Sequence, residues 1–277
     1  MKASSIYRDI SQYGFTPGKL RLRFGFGSGP KVLANSIPKS GTNLLMRALF
    51  LTPQLYRKLS RTVLSDDLEK ATRVLKAASP NQVVAAHLYY SAALSNLIGE
   101  LEFKNILIVR DPRDIVVSKY FYATYKDRRH YLHAYYQGIS NDAQRITKTI
   151  SGDAEFLSSK GCRFHGIDYI LNQYIQWVDE PNCLIVRFED LVGSKGGGGV
   201  EVQVNTLSKV YKHIGLDMPE DNVVKIAREL FTSNSKTFNK GEIGAWRSSF
   251  TSDHVALFKE VCGNHLVRMG YERDLDW

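Results

Sequence analysis

The stretch that decides the fold reads KVLANSIPKSGTNLLMRALF, residues 31–50. It opens with the apolar run Val32-Leu33-Ala34, which the turn-forming pair Asn35-Ser36 bounds. Apolar side chains then recur at the spacing of one helix face, at Leu44, Leu45, Ala48 and Leu49. The pattern predicts a buried strand, a loop and a helix in direct succession.

Three further apolar runs predict buried strands, at residues 83–86, 106–109 and 183–186. Their apolarity is continuous rather than alternating, as in a parallel sheet that helices cover on both faces. Helical patterns separate or follow them, at about residues 66–78, 115–125, 169–178 and 202–230. The order predicts an α/β fold with a central parallel β-sheet flanked by helices, whose ligands bind at the carboxyl ends of the strands.

The length of 277 residues suits a single domain, 1–277. Residues 1–30 are polar and end in a glycine-rich stretch, which predicts a loosely packed arm. Residues 122–165 are rich in Tyr, Arg and His and interrupt the alternation of strands and helices, which predicts a helical insertion or lid. The glycine-rich residues 193–199 predict a flexible loop.

Composition and charge exclude several classes of protein. The net charge of +9 suits an anionic ligand or solubility alike, and without a dense Lys/Arg block it predicts no nucleic-acid partner. Polar side chains interrupt the most apolar stretch, residues 83–101, so we expect no membrane span, and the N-terminus does not resemble a signal peptide. Three cysteines without a CxxC pair predict neither zinc nor redox chemistry and favour a reducing, cytoplasmic location.

The loop between the first strand and its helix has the composition of a phosphate-binding loop. Gly41 lets the backbone approach an anion closely, and the amides from Ser40 to Asn43 open the helix with its dipole behind them. Lys39 adds a positive charge, and the hydroxyls of Ser40 and Thr42 add donors. The alternative is an ordinary strand-to-helix turn in which a hydroxyl caps the helix.

The loop is not a nucleoside-triphosphate P-loop. That motif reads GxxxxGK[ST] and places its Lys after the second Gly, with a hydroxyl on Mg²⁺. Here Lys39 precedes Gly41. We therefore expect the protein, and no metal, to neutralise the charge of the ligand.

A second anion site is predicted after the strand at residues 106–109, where the sequence reads RDPRDIVVSKY from Arg110. A guanidinium at a strand end suits bidentate binding of phosphate. Asp111 suits an N-cap and the following proline an early helix position, and Ser118 lies about two helical turns further on. The alternative is that Arg110 pairs with Asp114 and that Ser118 is only a buried helix residue.

These two segments, in this order, resemble motifs of the sulfotransferases that use 3′-phosphoadenosine 5′-phosphosulfate (PAPS). In that family a PKSGT loop holds the 5′-phosphosulfate and an RxPRDxxVSxY segment holds the 3′-phosphate. Two further family elements are RKGxxGxWKxxFT and YEDL, which here read NKGEIGAWRSSFT at residues 239–251 and FEDL at 188–191. The resemblance covers about residues 31–252. It implies a P-loop-like fold, PAPS as co-substrate and 3′-phosphoadenosine 5′-phosphate (PAP) as product.

The resemblance also implies roles for individual residues. His87 occupies the position of the family's catalytic base, after the second apolar strand, and Lys39 assists catalysis from the loop. Residues that match the co-substrate contacts are Lys39, Ser40, Gly41, Thr42, Asn43, Arg110, Ser118, Phe188, Lys240 and Gly241. The residues themselves also allow His87 to be a core or capping histidine with no catalytic role.

The chain departs from the family pattern at four positions. Leu44 stands where a Trp often stacks on adenine, and Phe188 stands for a Tyr. Asn239 replaces an Arg near the 3′-phosphate, and Ala85 replaces a Lys two residues before the histidine. We therefore expect apolar contacts to hold the adenine.

The implied activity is transfer of a sulfuryl group to a hydroxyl or amine of a small, polar acceptor. A guanidinium alkaloid of microbial natural-product biosynthesis is one such acceptor, with Tyr122, Tyr125 and His133 as the expected contacts. Two alternatives stay open, a nucleotide-dependent phosphoryl transferase and a non-catalytic PAPS-binding module. The sequence is compatible with a homo-oligomer and leaves O- versus N-sulfation undecided.

Overall fold

The computed structural model describes residues 22, 27–57, 62–65, 68–158, 161–231 and 242–277. Most of the predicted arm and both Lys240 and Gly241 lie outside the described residues. The chain forms two compact units, a first unit of Met1–Val109 with Glu180–Ser233 and a second of Arg110–Asp179 with Asn234–Trp277. The single-domain organisation stays a prediction.

Seven strands lie in the described residues: β1 (Lys31–Ser36), β2 (Val63–Leu64), β3 (Val83–His87), β4 (Phe103–Val109), β5 (Gly152–Leu157), β6 (Arg163–His165) and β7 (Cys183–Arg187). Five of them form a parallel sheet in the first unit, in the order β2-β3-β1-β4-β7. The chain leaves β1 for β2 and β3 on one side and crosses to β4 on the other. The carboxyl end of β1 is therefore the topological switch point, where such sheets bind ligands.

Eleven α-helices lie in the described residues: α1 (Thr42–Phe50), α2 (Leu68–Lys76), α3 (Ala92–Glu100), α4 (Pro112–Phe121), α5 (His133–Gln137), α6 (Asp142–Ser151), α7 (Ile167–Asn172), α8 (Phe188–Leu191), α9 (Val200–His213), α10 (Glu220–Leu230) and α11 (Ser252–Arg268). In the first unit, apolar faces of α1, α9 and α10 cover the sheet in one continuous core. The predicted α/β fold is confirmed. Every helix that the structure describes is too short or too polar to traverse a lipid bilayer.

The predicted turn at Asn35-Ser36 is wrong, because β1 continues through both residues. Asn35 is fully buried, and its side-chain amide donates to the Leu88 carbonyl at 2.9 Å. The Leu88 N–H donates in return to Asn35 Oδ1 at 2.8 Å. These two hydrogen bonds resemble those between neighbouring strands. The side chain of Asn35 therefore continues the pairing of β1 with β3 as far as Leu88, the residue after His87.

The predicted helical insertion at 122–165 belongs to the second unit and is only partly helical. A π-helical turn at Tyr122–Lys126, α5 and α6 are followed by β5 and β6, which form a two-stranded antiparallel sheet. Within the unit α6 packs against α4 and α11. The two strands were not predicted because β5 is largely exposed and lacks an apolar run.

The glycine-rich segment 193–199, for which a flexible loop is predicted, contains a short turn. Ser194–Gly196 form a 3₁₀ turn, and the Gly198 N–H closes it on the Gly193 carbonyl at 2.9 Å. A Cβ on Gly198 would lie 2.8 Å from the Glu189 carbonyl oxygen. Position 198 therefore requires glycine, because the chain packs closely against the backbone of α8 there.

In the second unit, a buried guanidinium on α4 links segments that are distant in sequence. Arg113 donates to Asp111 from Nε at 2.9 Å and from a terminal nitrogen at 2.8 Å, and its other terminal nitrogen donates to Glu272 at 2.6 Å. Its guanidinium carbon lies 4.1 Å from the ring centroid of Trp246 and 4.4 Å from that of Trp277. Simultaneous contact with two aromatic rings and fork-like donation to two carboxylates suit the planar guanidinium of Arg and not the compact ammonium of Lys.

We expect Arg113→Ala to lower the free energy of unfolding by about 3–5 kcal/mol, because it leaves two carboxylates without their buried partner. Urea denaturation measures the change. Arg73→Ala, on the exposed face of α2, is the control and should change stability by less than about 0.5 kcal/mol. Equal, small effects of the two substitutions would contradict this account of Arg113.

Candidate active site

The loop after β1 has a backbone suited to an anion. Lys39 and Gly41 both have positive φ, at 74° and 107°, and α1 begins directly afterwards at Thr42. The first amides of a helix have no acceptor within the helix, and the helix dipole places positive potential there. The left-handed conformation of Lys39 costs about 1–2 kcal/mol for a residue with a side chain, as is common where a loop is built around a ligand.

Ser40 holds the loop rather than offering its hydroxyl outward. It is fully buried, with Oγ at 2.7 Å from the carbonyl oxygens of both Ile37 and Ile108. Its amide also donates to the Ile37 carbonyl, at 3.0 Å. A tight turn therefore uses the hydroxyl and the amide of Ser40 on the backbone, and the assignment of Ser40 to the co-substrate stays a prediction.

Gly41 is required by a neighbouring ring. A Cβ at this position would lie 2.7 Å from Cδ2 of Phe188 and 3.2 Å from Cδ1 of Ile108. The buried Phe188 ring, from the FEDL element, thus packs directly against the loop. The sequence pattern had indicated close approach of a ligand at Gly41, and the structure adds close approach of this aromatic side chain.

His87 ends β3 beside the same loop. Its Nδ1 lies 2.8 Å from the carbonyl oxygen of Ser36, which can only accept, so Nδ1 carries a proton and Nε2 bears the lone pair. Burial lowers the pKa of His87, the hydrogen bond to Ser36 opposes the shift, and the charge of Lys39 lowers the pKa further. The imidazole is therefore neutral at neutral pH and suited to accept a proton at Nε2.

The RDPRD segment begins the second unit, directly after β4. Asp111 is the N-cap of α4 and accepts from the Arg113 amide at 2.9 Å, and Pro112 is the first helical residue, as predicted. Arg110 is 8 % exposed and donates to the Glu242 carbonyl at 2.8 Å. Ser118 lies half-buried on the same helix.

The predicted alternative for Arg110, pairing with Asp114, is also present at 3.5 Å. The buried Asp114 carboxylate accepts from the amides of Gly244 at 2.8 Å and Trp246 at 3.0 Å. Burial raises the pKa of Asp114, while Arg110 and the Gly244 amide act in the opposite direction. Arg110 and Asp114 together fix the backbone at residues 242–246, which joins two motifs separated by more than a hundred residues. Spacing alone gave no signal of this contact.

The three expected acceptor contacts lie in the second unit, and each has a local partner. Tyr122 donates its hydroxyl to Asp127 at 3.2 Å, and Tyr125 donates to Asp142 at 2.7 Å. His133 Nδ1 donates to a main-chain carbonyl of the π-helical turn at 2.9 Å. The pairing of Tyr125 with Asp142, a residue 17 positions further along the chain, had no signal in the sequence.

A comparison with known protein families identifies the family of this chain. The profile described as "Sulfotransferase domain" matches residues 29–270 of the chain. The chain belongs to the sulfotransferase family. The match runs through the loop at residues 38–42, His87 and the RDPRD segment, and it confirms the family that the four motifs resembled.

Solved structures share the fold of this sulfotransferase at low sequence identity. Mouse sulfotransferase SULT7A1 complexed with PAP is 19% identical, with a TM-score of 0.63 and 94% of each chain covered. Retinol dehydratase in complex with androsterone and the inactive cofactor PAP is 14% identical, with a TM-score of 0.57, over 96% of this chain and 94% of that one. A search of the curated proteins gave no match.

Proposed function

We propose that this sulfotransferase transfers the sulfuryl group of PAPS to a hydroxyl or amine of a small, polar acceptor. The observation that supports this proposal most directly is the neutral imidazole of His87, which lies beside the anion-binding loop at the carboxyl end of β1. Structural neighbours that bind PAP support PAPS as the donor. Free thiols at all three cysteines are consistent with the expected cytoplasmic setting.

The residues present fit a phosphosulfate. The loop has a Lys, two positive-φ residues and the amides at the start of α1, all of which favour a negatively charged group. When bound, PAPS supplies an activated sulfuryl group with a phosphate as leaving group. We assign Lys39 and the amides of Gly41, Thr42 and Asn43 to the 5′-phosphosulfate. Phe188, whose ring packs against the loop at Gly41, is also assigned to the binding of PAPS.

His87 performs the proton transfer in this proposal. Its Nε2 takes the proton of the acceptor hydroxyl or amine as the acceptor bonds to sulfur and the bond from sulfur to the leaving oxygen breaks. Lys39 stabilises the negative charge that develops on that oxygen, and the loop amides hold the remaining oxygens. Fixed charges that are already in place need little reorganisation during the reaction.

Arg110 and Ser118 are assigned to the 3′-phosphate. Arg110 is held by the Glu242 carbonyl and by Asp114, so its guanidinium is restrained before any ligand binds. Restraint of this kind lowers the entropic cost of binding. Lys240 and Gly241 keep the same assignment from the family motif and lie outside the described residues.

We predict that PAP raises the melting temperature more than adenosine 5′-phosphate, because PAP carries the additional 3′-phosphate. At 100 times its dissociation constant, PAP should add about 2.7 kcal/mol of stability. Arg110→Ala should remove the difference between the two nucleotides, measured as the shift from each variant's own melting temperature. Arg228→Ala, an exposed substitution on α10, should keep it.

A larger shift with ATP and Mg²⁺ than with PAP would contradict the proposal and favour the nucleotide-dependent phosphoryl transferase. Equal shifts with PAP in wild type and in Arg110→Ala would contradict the assignment of the 3′-phosphate alone.

We predict that His87→Ala lowers kcat by about 10²–10⁴-fold, the range for loss of a general base. In wild type, kcat/KM should fall as pH decreases through a pKa below the ordinary value of 6.5, since protonation removes the Nε2 lone pair. The control is His213→Gln, because burial also lowers the pKa of His213. This control should keep the acidic limb, whereas His87→Ala should lose it. Full activity of His87→Ala would indicate that His87 is not the base.

For the acceptor, we propose a polar cation such as a guanidinium alkaloid of microbial natural-product biosynthesis. Support comes from tyrosine hydroxyls that donate to Asp127, Asp142 and Asp153 within residues 122–153, because carboxylates beside aromatic rings suit a cation. Each of these carboxylates pairs with a Lys or Arg of the chain, whose place a cationic acceptor would take. In a sulfation assay, hydroxylated guanidinium compounds should react at least about tenfold faster than apolar phenols or steroids. The opposite order would contradict this choice of acceptor without affecting the donor.

A further inference from the structure

A chain of close contacts joins the phosphate loop to the imidazole of His87 through one hydroxyl. Ser36 Oγ lies 2.8 Å from Thr42 Oγ1 and 3.0 Å from His87 Nδ1. It also donates to the carbonyl oxygen of Ala86, at 3.1 Å. Ser36 is fully buried, so solvent does not compete for these contacts.

One arrangement of the donors and acceptors satisfies every group before a ligand binds. The Ala86 carbonyl can only accept, so it takes the hydroxyl proton of Ser36. Thr42 then donates its own hydroxyl proton to Ser36 Oγ. His87 Nδ1–H is shared between Ser36 Oγ and the Ser36 carbonyl oxygen, and the proton on Nδ1 leaves Nε2 with its lone pair.

The same hydroxyl can maintain this tautomer when the loop binds its ligand. Under the proposed function, Thr42 turns its proton towards an oxygen of the phosphosulfate. Ser36 then turns its proton from Ala86 to Thr42 Oγ1, while a lone pair of Ser36 Oγ still accepts from His87 Nδ1. In both arrangements Nδ1 keeps its proton.

Asn35 makes the position of Ser36 precise. Its Oδ1 accepts from the Ser36 amide at 3.0 Å as well as from the Leu88 amide at 2.8 Å. The main chain on both sides of the contact with His87 is therefore fixed by one buried amide group. A hydrogen bond that must set a tautomer needs such support from residues that cannot move freely.

We infer that Ser36 is a positioning residue. Its carbonyl keeps the proton of His87 on Nδ1, and its hydroxyl connects the imidazole to the state of Thr42 in the phosphate loop. The inference rests on the proposed function, since it requires His87 as the base and Thr42 as a contact to the donor. Ser36 itself contacts neither the acceptor nor the transferred group in this scheme.

The kinetic test uses Ser36→Ala in the full chain. We expect kcat to fall about tenfold, the loss of one hydrogen bond to a group that becomes charged, with a smaller change in KM for PAPS. Ser36→Thr, which keeps the hydroxyl, should restore most of kcat. In the His87→Ala background, Ser36→Ala should cost nothing further, because its effect passes through the imidazole.

The second readout does not depend on turnover. ¹⁵N NMR of histidine-labelled protein, with the His87 signals assigned by comparison with His87→Gln, reports which ring nitrogen carries the proton. Wild type should show Nδ1 protonated. Ser36→Ala keeps the main-chain carbonyl that accepts from Nδ1, so it should keep this tautomer. It should, however, show a smaller change of the His87 signals on adding PAP, because the hydroxyl that connects the imidazole to Thr42 is lost. If Ser36→Ala is too unstable to purify, Ser36→Cys keeps the volume with a weaker acceptor and takes its place.

Two results would overturn the inference. One is an equal loss of kcat from Ser36→Ala in wild type and in the His87→Ala background, which would make Ser36 a structural residue only. The other is an equal change of the His87 signals on adding PAP in wild type and in Ser36→Ala. Full activity of His87→Ala would instead overturn the proposed base, and the NMR result would still decide the role of Ser36.

Discussion

The hydrogen bonding of β1 on both edges is the constraint on which the rest of the site depends. β1 pairs with β3 on one side and with β4 on the other, so the carboxyl ends of all three strands lie at the same edge of the sheet. The buried side chain of Asn35 continues this pairing past the end of β3. The loop and the imidazole of His87 are consequently fixed by the same strand, without a contribution from mobile surface groups.

Most of the sheet could be predicted from the sequence because its strands are continuous apolar runs. The two residues of β2 and the exposed strand β5 could not, since neither has a periodic pattern to detect. The end of β1 was misplaced for a different reason. Asn35 is usually a turn former, and its role here depends on Leu88, a residue more than fifty positions away.

The candidate site was predictable in composition but not in its connections. Motif order indicated Lys39, His87 and Arg110, and the profile match supports the family to which these motifs belong. The inward direction of the Ser40 hydroxyl and the attachment of Asp114 to residues 244–246 depend on tertiary contacts. Local sequence patterns carry information about backbone conformation, whereas these contacts join segments that only the fold brings together.

The distribution of tryptophan has a practical consequence. All three tryptophans, Trp177, Trp246 and Trp277, belong to the second unit, and two of them contact the guanidinium of Arg113. Indole fluorescence therefore observes the second unit alone, while circular dichroism observes the helices of both. If the two signals change at the same denaturant concentration, the two units unfold together, and if they differ, the units unfold separately. This comparison needs no introduced label.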